Sequence, residues 1–291
     1  MNVLLICAFQ PRYLDCALEW LLKGRVHERY QIIVWDNGGA SEICARHGVN
    51  CFSISDVATG AVANVGKALG MHHLIDIVVQ RNLGVECYVC MDDDVIVDGA
   101  HLDALVAAAQ RTDLGMVGAM FHPFNSAVPP NGSLQYLDAC PRCGVSGATA
   151  GGGTCDVCQG SGRDPKGLCL HVFPREDRLE RNLGKVAGTL FAIARESVAK
   201  LPWAPYLYPP MYDPKDGSPI VYWAEDGALD VKLTEIGYLN GYIQSPDLIP
   251  AIHLPELSKE FAQWKIAANR RGYAEGRMDR HTSNPGGELE A

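Results

Sequence analysis

Residues 86–98 read ECYVCMDDDVIVD, an apolar run of strand length that leads into three consecutive aspartates. Adjacent carboxylates repel one another and would weaken a buried strand, so they need a compensating interaction. A hard divalent cation bound by the carboxylate oxygens is the usual one. In open α/β sheets, ligands bind beyond the carboxyl ends of the strands, where these aspartates fall. The alternative is a solvated acidic turn that caps the following helix.

The segments on either side alternate between strand and helix patterns. Strands are predicted at 3–9, 31–39, 51–55, 115–121, 185–195 and 238–244. Helices are predicted at 13–24, 41–48, 64–84, about 100–111, 196–201, 223–238 and about 256–271. Near-continuous apolar strands separated by helices favour a mostly parallel sheet with helices on both faces. The expected fold class is therefore α/β with a Rossmann-like central sheet.

The composition is that of a globular protein. The chain has 291 residues, of which 47% are hydrophobic and 20% charged, and its formal net charge is −9. Disorder of the whole chain is excluded, and no apolar run reaches the roughly 18 residues that a membrane span needs. The N-terminus lacks the features of a secretory signal, so we expect a cytoplasmic protein. The charge argues against wholesale coating of nucleic acid, although 140–185 and 265–281 carry a local basic excess.

Among the eleven cysteines, two of the three CxxC pairs, Cys140 with Cys143 and Cys155 with Cys158, lie close together in the sequence, whereas Cys87 and Cys90 lie within a predicted strand, where their side chains diverge. Without a secretory signal, this cysteine content indicates a reducing compartment and metal binding or free thiols. Two such knuckles joined by a glycine-rich turn are typical of a tetrahedral zinc site with four cysteine ligands. The site would be structural, because the surrounding segment has almost no apolar core of its own. The stretch CDVCQGSG resembles the knuckle of DnaJ-type zinc domains, which supports a metal site and not a chaperone function.

Three further positions are predicted at the same sheet edge as the aspartate triplet. Asp36 ends the second strand in WDNGG, Gly188 opens a later strand in VAGTLFAI, and Asp226 follows Glu225 at the start of a helix. Each acidic residue has a structural alternative. Asp36 would suit a turn before Asn-Gly-Gly, and Asp226 would be stabilised by the helix dipole alone.

Taken in order, the motifs WDNGG, NVGKALG, MDDDVIV, VAGTLFAI and WAEDGALDVKL resemble the family 2 glycosyltransferases with the GT-A fold. The resemblance covers most of residues 3–255 outside the cysteine-rich segment. It implies transfer of a sugar, with inversion, from a nucleotide-sugar (usually a UDP-sugar) to an acceptor hydroxyl. We accordingly expect four parts: a nucleotide-sugar-binding half (1–121), a zinc-stapled insertion (122–185), an acceptor-side half (186–255), and a C-terminal helix with a basic tail (256–291).

The resemblance also implies which residues bind the donor. Asp36 would contact the uracil or ribose, and Asp92 would lie near the ribose. Asp93 and Gly188 would belong to the same donor site.

The resemblance further implies a metal site and a general base. Asp94, in the DxD position, would bind Mn²⁺ or Mg²⁺ across the diphosphate, and His253 in AIHLP would be a further ligand. Asp226 would take the proton from the acceptor hydroxyl. The chemistry is coherent, because a metal stabilises the leaving diphosphate and a carboxylate raises the nucleophilicity of the acceptor oxygen. A lone histidine such as His253 is also common as a structural or surface residue.

The acceptor and two other functions stay open. Because zinc ribbons often present loops to nucleic acid and basic residues flank this one, the acceptor hypothesis is a hydroxymethylated pyrimidine in DNA. The insertion would otherwise shape the acceptor pocket or form a dimer contact. A nucleotidyltransferase of the same fold class would use the aspartates for two metals and release pyrophosphate. A non-catalytic zinc-containing module would bind nucleic acid without a donor.

Overall fold

The computed structural model describes residues 2–55, 59–122, 133–136, 138–144, 146–149, 151–164, 167–172, 186, 188–209, 212, 225–245 and 247–254. The strands are β1 (Asn2–Ala8), β2 (Tyr30–Asp36), β3 (Asn50–Phe52), β4 (Cys87–Asp92), β5 (Val95–Ile96), β6 (Leu114–Gly118), β7 (Phe121–His122), β8 (Ser133–Tyr136), β9 (Cys169–Val172), β10 (Leu190–Ala194), β11 (Leu239–Gln244) and β12 (Ala251–His253). The helices are α1 (Pro11–Lys23), α2 (Ser41–His47), α3 (Gly66–Gln80), α4 (Gly99–Ala109), α5 (Arg195–Val198) and α6 (Glu225–Glu235). The helix predicted at about 256–271 lies outside the described residues.

A sheet of nine strands in the order β3-β2-β1-β4-β10-β6-β11-β9-β8 forms the centre of the fold. The first four strands in this order are parallel to one another. β10 is antiparallel to both of its neighbours, β4 and β6, and β11 is parallel to β6. β9 is antiparallel to both β11 and β8. All strands of this sheet except β9 and β10 therefore point the same way, which confirms the predicted α/β class with a mostly parallel sheet.

Both faces of the sheet are buried under helices, as the continuous apolar strands require. Leu4 and Ile6 of β1 belong to an apolar core that includes side chains of α1 and α4. Val3 and Leu5 point to the other face and belong to a second core with side chains of α3 and α6. All four side chains are fully buried. The buried sheet thus supports the loops at its two edges, and functional side chains can lie on these loops.

The helix ends follow local capping chemistry. α1 begins with Pro11, whose fixed φ and missing N–H suit the first turn of a helix. α4 is capped by Asp98, whose side chain accepts a hydrogen bond of 2.7 Å from His101 N. α2 ends before Gly48, which adopts φ +68°. Caps of this kind lie outside the apolar periodicity, so the predicted helix limits differ from the observed ones by up to four residues.

Two short strands lie within the segment 122–185, for which the sequence pattern predicts none. β8 and β9 pair with each other, and β9 extends the sheet beyond β11. Strands of four residues are too short to show a periodicity, and their pairing with β11 is a tertiary contact. The division of the chain into parts at 122 and 185 stays a prediction.

Candidate functional site

The predicted site residues meet at the carboxyl edge of the parallel strands. Asp36 is the last residue of β2, and Asp92 is the last residue of β4. β10 runs in the opposite direction, so Gly188 and Thr189, which precede it, lie at the same edge. A hydrogen bond of 2.8 Å from Asp92 N to Thr189 O joins the two segments directly.

Lys67, the second residue of α3, connects two of these positions. Its Nζ lies 2.6 Å from Asp92 Oδ1 and donates to Gly188 O at 2.7 Å. Burial lowers the pKa of Lys67, but the carboxylates of Asp92, Glu225 and Asp226 outweigh that effect, so its pKa is raised and the ammonium stays charged. The lysine stands within the NVGKALG motif, yet sequence reasoning gave it no role because its partners are distant in the chain.

Asp226 contacts the same glycine from the other side. Its Oδ2 accepts from Gly188 N at 3.0 Å, and its Oδ1 accepts from Gly227 N at 2.9 Å. A Cβ added at Gly188 would lie 2.8 Å from Asp226 Cβ and 3.1 Å from Lys67 Nζ. Glycine is therefore required there by close packing against α6. Beside Asp226, burial raises the pKa of Glu225 to about 7, although the Lys67 charge opposes this.

Asp94 and His253 come together through a second, three-stranded sheet in the order β5-β12-β7. β12 is antiparallel to β5 and sets His253 opposite Val95, so that His253 Nε2 lies 3.1 Å from Asp94 Oδ2. Asp94 Oδ1 is buried and has no hydrogen-bond partner among the described residues. A buried carboxylate oxygen without a donor, beside an imidazole nitrogen, is a donor set that fits a divalent cation.

Asp93 points away from its two neighbours and is only 7% exposed. Its Oδ2 accepts from Phe9 N at 2.7 Å and from Gln10 N at 2.5 Å. Burial raises the pKa of Asp93 to about 7, against the effect of these two hydrogen bonds. The side chain thus anchors the loop between β1 and α1, and its role in donor binding stays a prediction.

Asp36 is fully buried and closes the turn after β2. Its carboxylate accepts from Gly38 N at 2.8 Å, from Gly39 N at 2.6 Å, and from Ser41 N and Oγ at 3.0 and 2.7 Å. Burial raises the pKa of Asp36, but hydrogen bonds from the backbone of Ala40, from Ser41 and from the two glycines together hold it below its usual value. Both oxygens are engaged by the chain itself, which favours the turn alternative, and the contact with uracil or ribose stays a prediction.

Asn37 is a positioning residue that sequence reasoning missed. Its Oδ1 accepts from Val65 N at 3.0 Å, and its Nδ2 donates to Gly66 O at 3.3 Å. The side chain is only 5% exposed. It therefore fixes the start of α3, one residue before Lys67, to the end of β2.

The four cysteines of the two CxxC pairs form one cluster, as predicted. Their sulfur atoms all lie within 4.8 Å of one another, and Cys140, Cys155 and Cys158 are buried. The cluster occupies the tip of the hairpin that β8 and β9 form. Asp138 closes the base of this tip, since its O accepts from Asp164 N at 2.9 Å and its Oδ2 accepts from Leu168 N at 2.6 Å.

The hairpin tip stands at the same edge of the sheet as the aspartates, because β8 runs in the same direction as β4. Five strand-to-strand steps separate β4 from β8, roughly 24 Å at about 4.8 Å per step. The described tip carries Arg142 and Arg163 and the acidic residues Asp138, Asp156 and Asp164. Arg142 is paired with Asp156 at 2.7 Å. The other basic residues of 140–185, and all of 265–281, lie outside the described residues.

Comparison with known proteins gives a likeness in structure and none in sequence. No protein-family model matches the chain, and no curated protein matches it either. The crystal structure of residues 1–349 of S. aureus TarS in complex with UDP-GlcNAc is similar over 94% of this chain and 66% of the TarS chain. The identity is 10% and the TM-score is 0.46. This chain thus spans slightly less than two thirds of the length of that structure.

None of the described helices has the length and apolar character needed to cross a membrane.

Proposed function

We propose that the chain is a metal-dependent glycosyltransferase of the GT-A type that moves a sugar from a UDP-sugar to an acceptor hydroxyl. The observation that carries the proposal is the buried Oδ1 of Asp94, which has no hydrogen-bond partner among the described residues and lies beside His253 at the sheet edge that also holds Asp92 and Asp226. The order of the five sequence motifs supports the same reading. Inversion at the anomeric carbon rests on the family resemblance.

The cation would be Mn²⁺ or Mg²⁺, held by Asp94 and His253. When bound, it stabilises the negative charge that develops on the leaving diphosphate. Asp92 would lie near the ribose and keeps its orientation through the ion pair with Lys67. Asp36 and Asp93 would support the donor site through the loops that they anchor.

Asp226 would be the general base. A base must lie within hydrogen-bond reach of the acceptor oxygen and keep a fixed orientation. The hydrogen bond from Gly188 N fixes the orientation of Oδ2. Its position at the start of α6 adds the favourable field of the helix N-terminus.

The cysteine cluster would hold a structural Zn²⁺. Four thiolates at mutual distances below 4.8 Å suit tetrahedral zinc and leave no open position for catalysis. The ion would close the hairpin tip at the β8 side of the sheet, where an acceptor would approach.

A hydroxymethylated pyrimidine in DNA is the proposed acceptor. The described tip carries three aspartates and two arginines, so it has no net positive charge. The basic residues of 165–185 and 265–281 would therefore make the contacts with a phosphate backbone. Glucose or N-acetylglucosamine transfer to DNA with and without 5-hydroxymethylcytosine tests this acceptor. Equal labelling of both DNAs, or of neither, contradicts it.

A thermal-shift screen of nucleotide-sugars with and without Mn²⁺ tests the donor site. A ligand at about 100 times its Kd adds about 2.7 kcal/mol, which corresponds to a rise of roughly 4 °C in Tm for a chain of this size. We expect this rise with a UDP-sugar only when Mn²⁺ is present, and its loss in Asp94→Ala. Asp113→Ala is the matched control, because Asp113 is an exposed carboxylate paired with Arg111.

Three results would contradict the proposal in different ways. No shift with any nucleotide-sugar in a folded, zinc-loaded protein excludes the donor site. A shift with nucleoside triphosphates, followed by release of pyrophosphate, identifies a nucleotidyltransferase. Tight DNA binding without donor binding identifies a non-catalytic nucleic-acid-binding module.

A further inference from the structure

We infer that Lys67 is a positioning residue: its ammonium fixes Gly188, and Gly188 in turn fixes the carboxylate of Asp226. The inference deepens the proposed function and rests on it only for the role of Asp226 as the base. The contacts themselves are independent of any activity.

The first step is the bridge at Gly188. Lys67 Nζ donates to Gly188 O at 2.7 Å, and Gly188 N donates to Asp226 Oδ2 at 3.0 Å. The two bonds lie on either side of one Cα atom, and this residue has no side chain to hold it in place. A change in the position of the Gly188 carbonyl therefore changes the direction in which the Gly188 N–H points toward the carboxylate of Asp226.

The second step is the anchorage of Lys67 itself. Asp92 Oδ1 lies 2.6 Å from the ammonium and fixes it from the sheet side. Asn37 binds the backbone at Val65 and Gly66, directly before Lys67. Gly66 adopts φ +78°, a left-handed conformation that glycine allows without strain. The start of α3 is thus set before any ligand binds, and the lysine reaches Gly188 from a fixed point.

The third step is electrostatic. Asp92, Glu225 and Asp226 all contribute to the raised pKa of Lys67, so the ammonium faces carboxylates from β4 and from α6 at once. Without the lysine the carboxylates of Asp92 and Asp226 would have no cation between them, and their repulsion would push the first turn of α6 away from β4. Lys67 therefore sets both the direction and the distance of Asp226.

Hydrogen exchange at the Gly188 amide tests the contact without any activity. Lys67→Met removes the charge but keeps an unbranched apolar side chain. We expect exchange of the Gly188 N–H to become at least about tenfold faster, since Gly188 loses the hydrogen bond that fixes its carbonyl group. Lys23→Met is the control, because Lys23 forms an exposed ion pair with Glu19 on α1. Unchanged protection of Gly188 in Lys67→Met overturns the inference.

A double-mutant cycle tests whether Lys67 acts through Asp226. UDP release from the UDP-sugar that gives the metal-dependent shift is measured in Lys67→Met, in Asp226→Asn and in the double variant. We expect a loss of about 100-fold in kcat for Lys67→Met and a larger loss for Asp226→Asn. The double variant should match Asp226→Asn within about threefold, because the two residues act as one unit. Losses that multiply overturn the inference, and Lys67→Arg should restore part of kcat.

Failure of a variant to fold and failure of the base assignment can be distinguished from failure of the inference. Lys67→Met would leave the Asp92 carboxylate without its cation and could fail to fold for that reason. In that case the double variant Lys67→Met with Asp92→Asn removes both charges, and hydrogen exchange at Gly188 is measured in it instead. Full UDP release by Asp226→Asn refutes the base assignment of the proposed function. In that case the exchange at Gly188 still decides whether Lys67 holds the Gly188 contact to Asp226.

Discussion

Replacement of Gly188 by alanine is the most direct test of how the site is packed. The added Cβ would lie 2.8 Å from Asp226 Cβ, whereas carbon atoms in contact prefer about 3.5–4.0 Å. The start of α6 must therefore move away by roughly 0.7 Å or more. The hydrogen bond from Gly188 N to Asp226 Oδ2, now 3.0 Å, would then exceed the usual limit for such bonds.

Two costs contribute to the expected loss. Overpacking of a tight site costs about 1–3 kcal/mol, and a lost hydrogen bond to a charged group costs about 1.5–3 kcal/mol. Because the helix relaxes partly, we expect Gly188→Ala to lower the free energy of unfolding by about 2–4 kcal/mol in total. In urea this lowers the unfolding midpoint by roughly 1 M. UDP release should fall by about 100-fold, since a shift of this size misplaces the base.

Gly151→Ala is the matched control. Apart from its chain neighbours, no described residue has an atom within 4 Å of a Cβ at Gly151, so the free energy of unfolding of this variant should stay within about 0.5 kcal/mol of the wild type. If Gly188→Ala unfolds at the same urea concentration as Gly151→Ala and keeps its UDP release, the packing argument is refuted.

Three other predictions concern the turn, the cysteine cluster and the acidic helix start. Asp36→Ala should lower the free energy of unfolding by about 3 kcal/mol even without a bound nucleotide-sugar, because it leaves four hydrogen-bond donors unpaired. Urea unfolding of the ligand-free protein checks this. An unchanged unfolding midpoint would favour a role of Asp36 in contact with the nucleotide-sugar alone. Cys155→Ser should abolish the zinc that elemental analysis finds in the purified protein, and protease cleavage within 138–164 should increase; zinc retained at wild-type stoichiometry would contradict the four-cysteine site. Burial raises the pKa of Glu225 from 4.5 to about 7 in the folded protein, so folding disfavours the ionised form of this side chain. The free energy of unfolding therefore falls as the pH rises from about 4.5 to about 7, by up to about 3 kcal/mol. Glu225→Gln should make this decline smaller between pH 5 and pH 8 in urea titrations and leave the part that Asp93 contributes; an unaltered pH dependence would argue against it.

The sequence predicts the parts of the fold that depend on local periodicity. β1 shows why: its apolar side chains bury both faces, and such a strand is expected only in the interior of a sheet covered on both sides. β8 and β9 are the opposite case. Each has four residues, and what makes them strands is their pairing with each other and with β11, far along the chain.

Candidate site residues show the same division. The four-cysteine cluster is predictable because CxxC spacing brings two sulfur atoms together within each knuckle. The fold then has only to bring the two knuckles next to each other. Asp36 and Asp93 are recognisable as carboxylates at strand ends. Whether their oxygens face a ligand or the backbone depends on loop geometry that spacing does not encode. In the structure, both carboxylates accept hydrogen bonds from backbone N–H groups of the chain.

By itself, the sequence determined the α/β class, the edge of the sheet at which acidic residues collect, and the composition of the cysteine cluster. These follow from hydrophobic periodicity and from ligand spacing, which are properties of short segments. Only the tertiary structure decided that Lys67 lies between Asp92 and Gly188, and that His253 lies beside Asp94. These contacts join residues 25 to 159 positions apart. They depend on how strands and helices pack, because no local signal in a chain encodes which distant charge a side chain will meet.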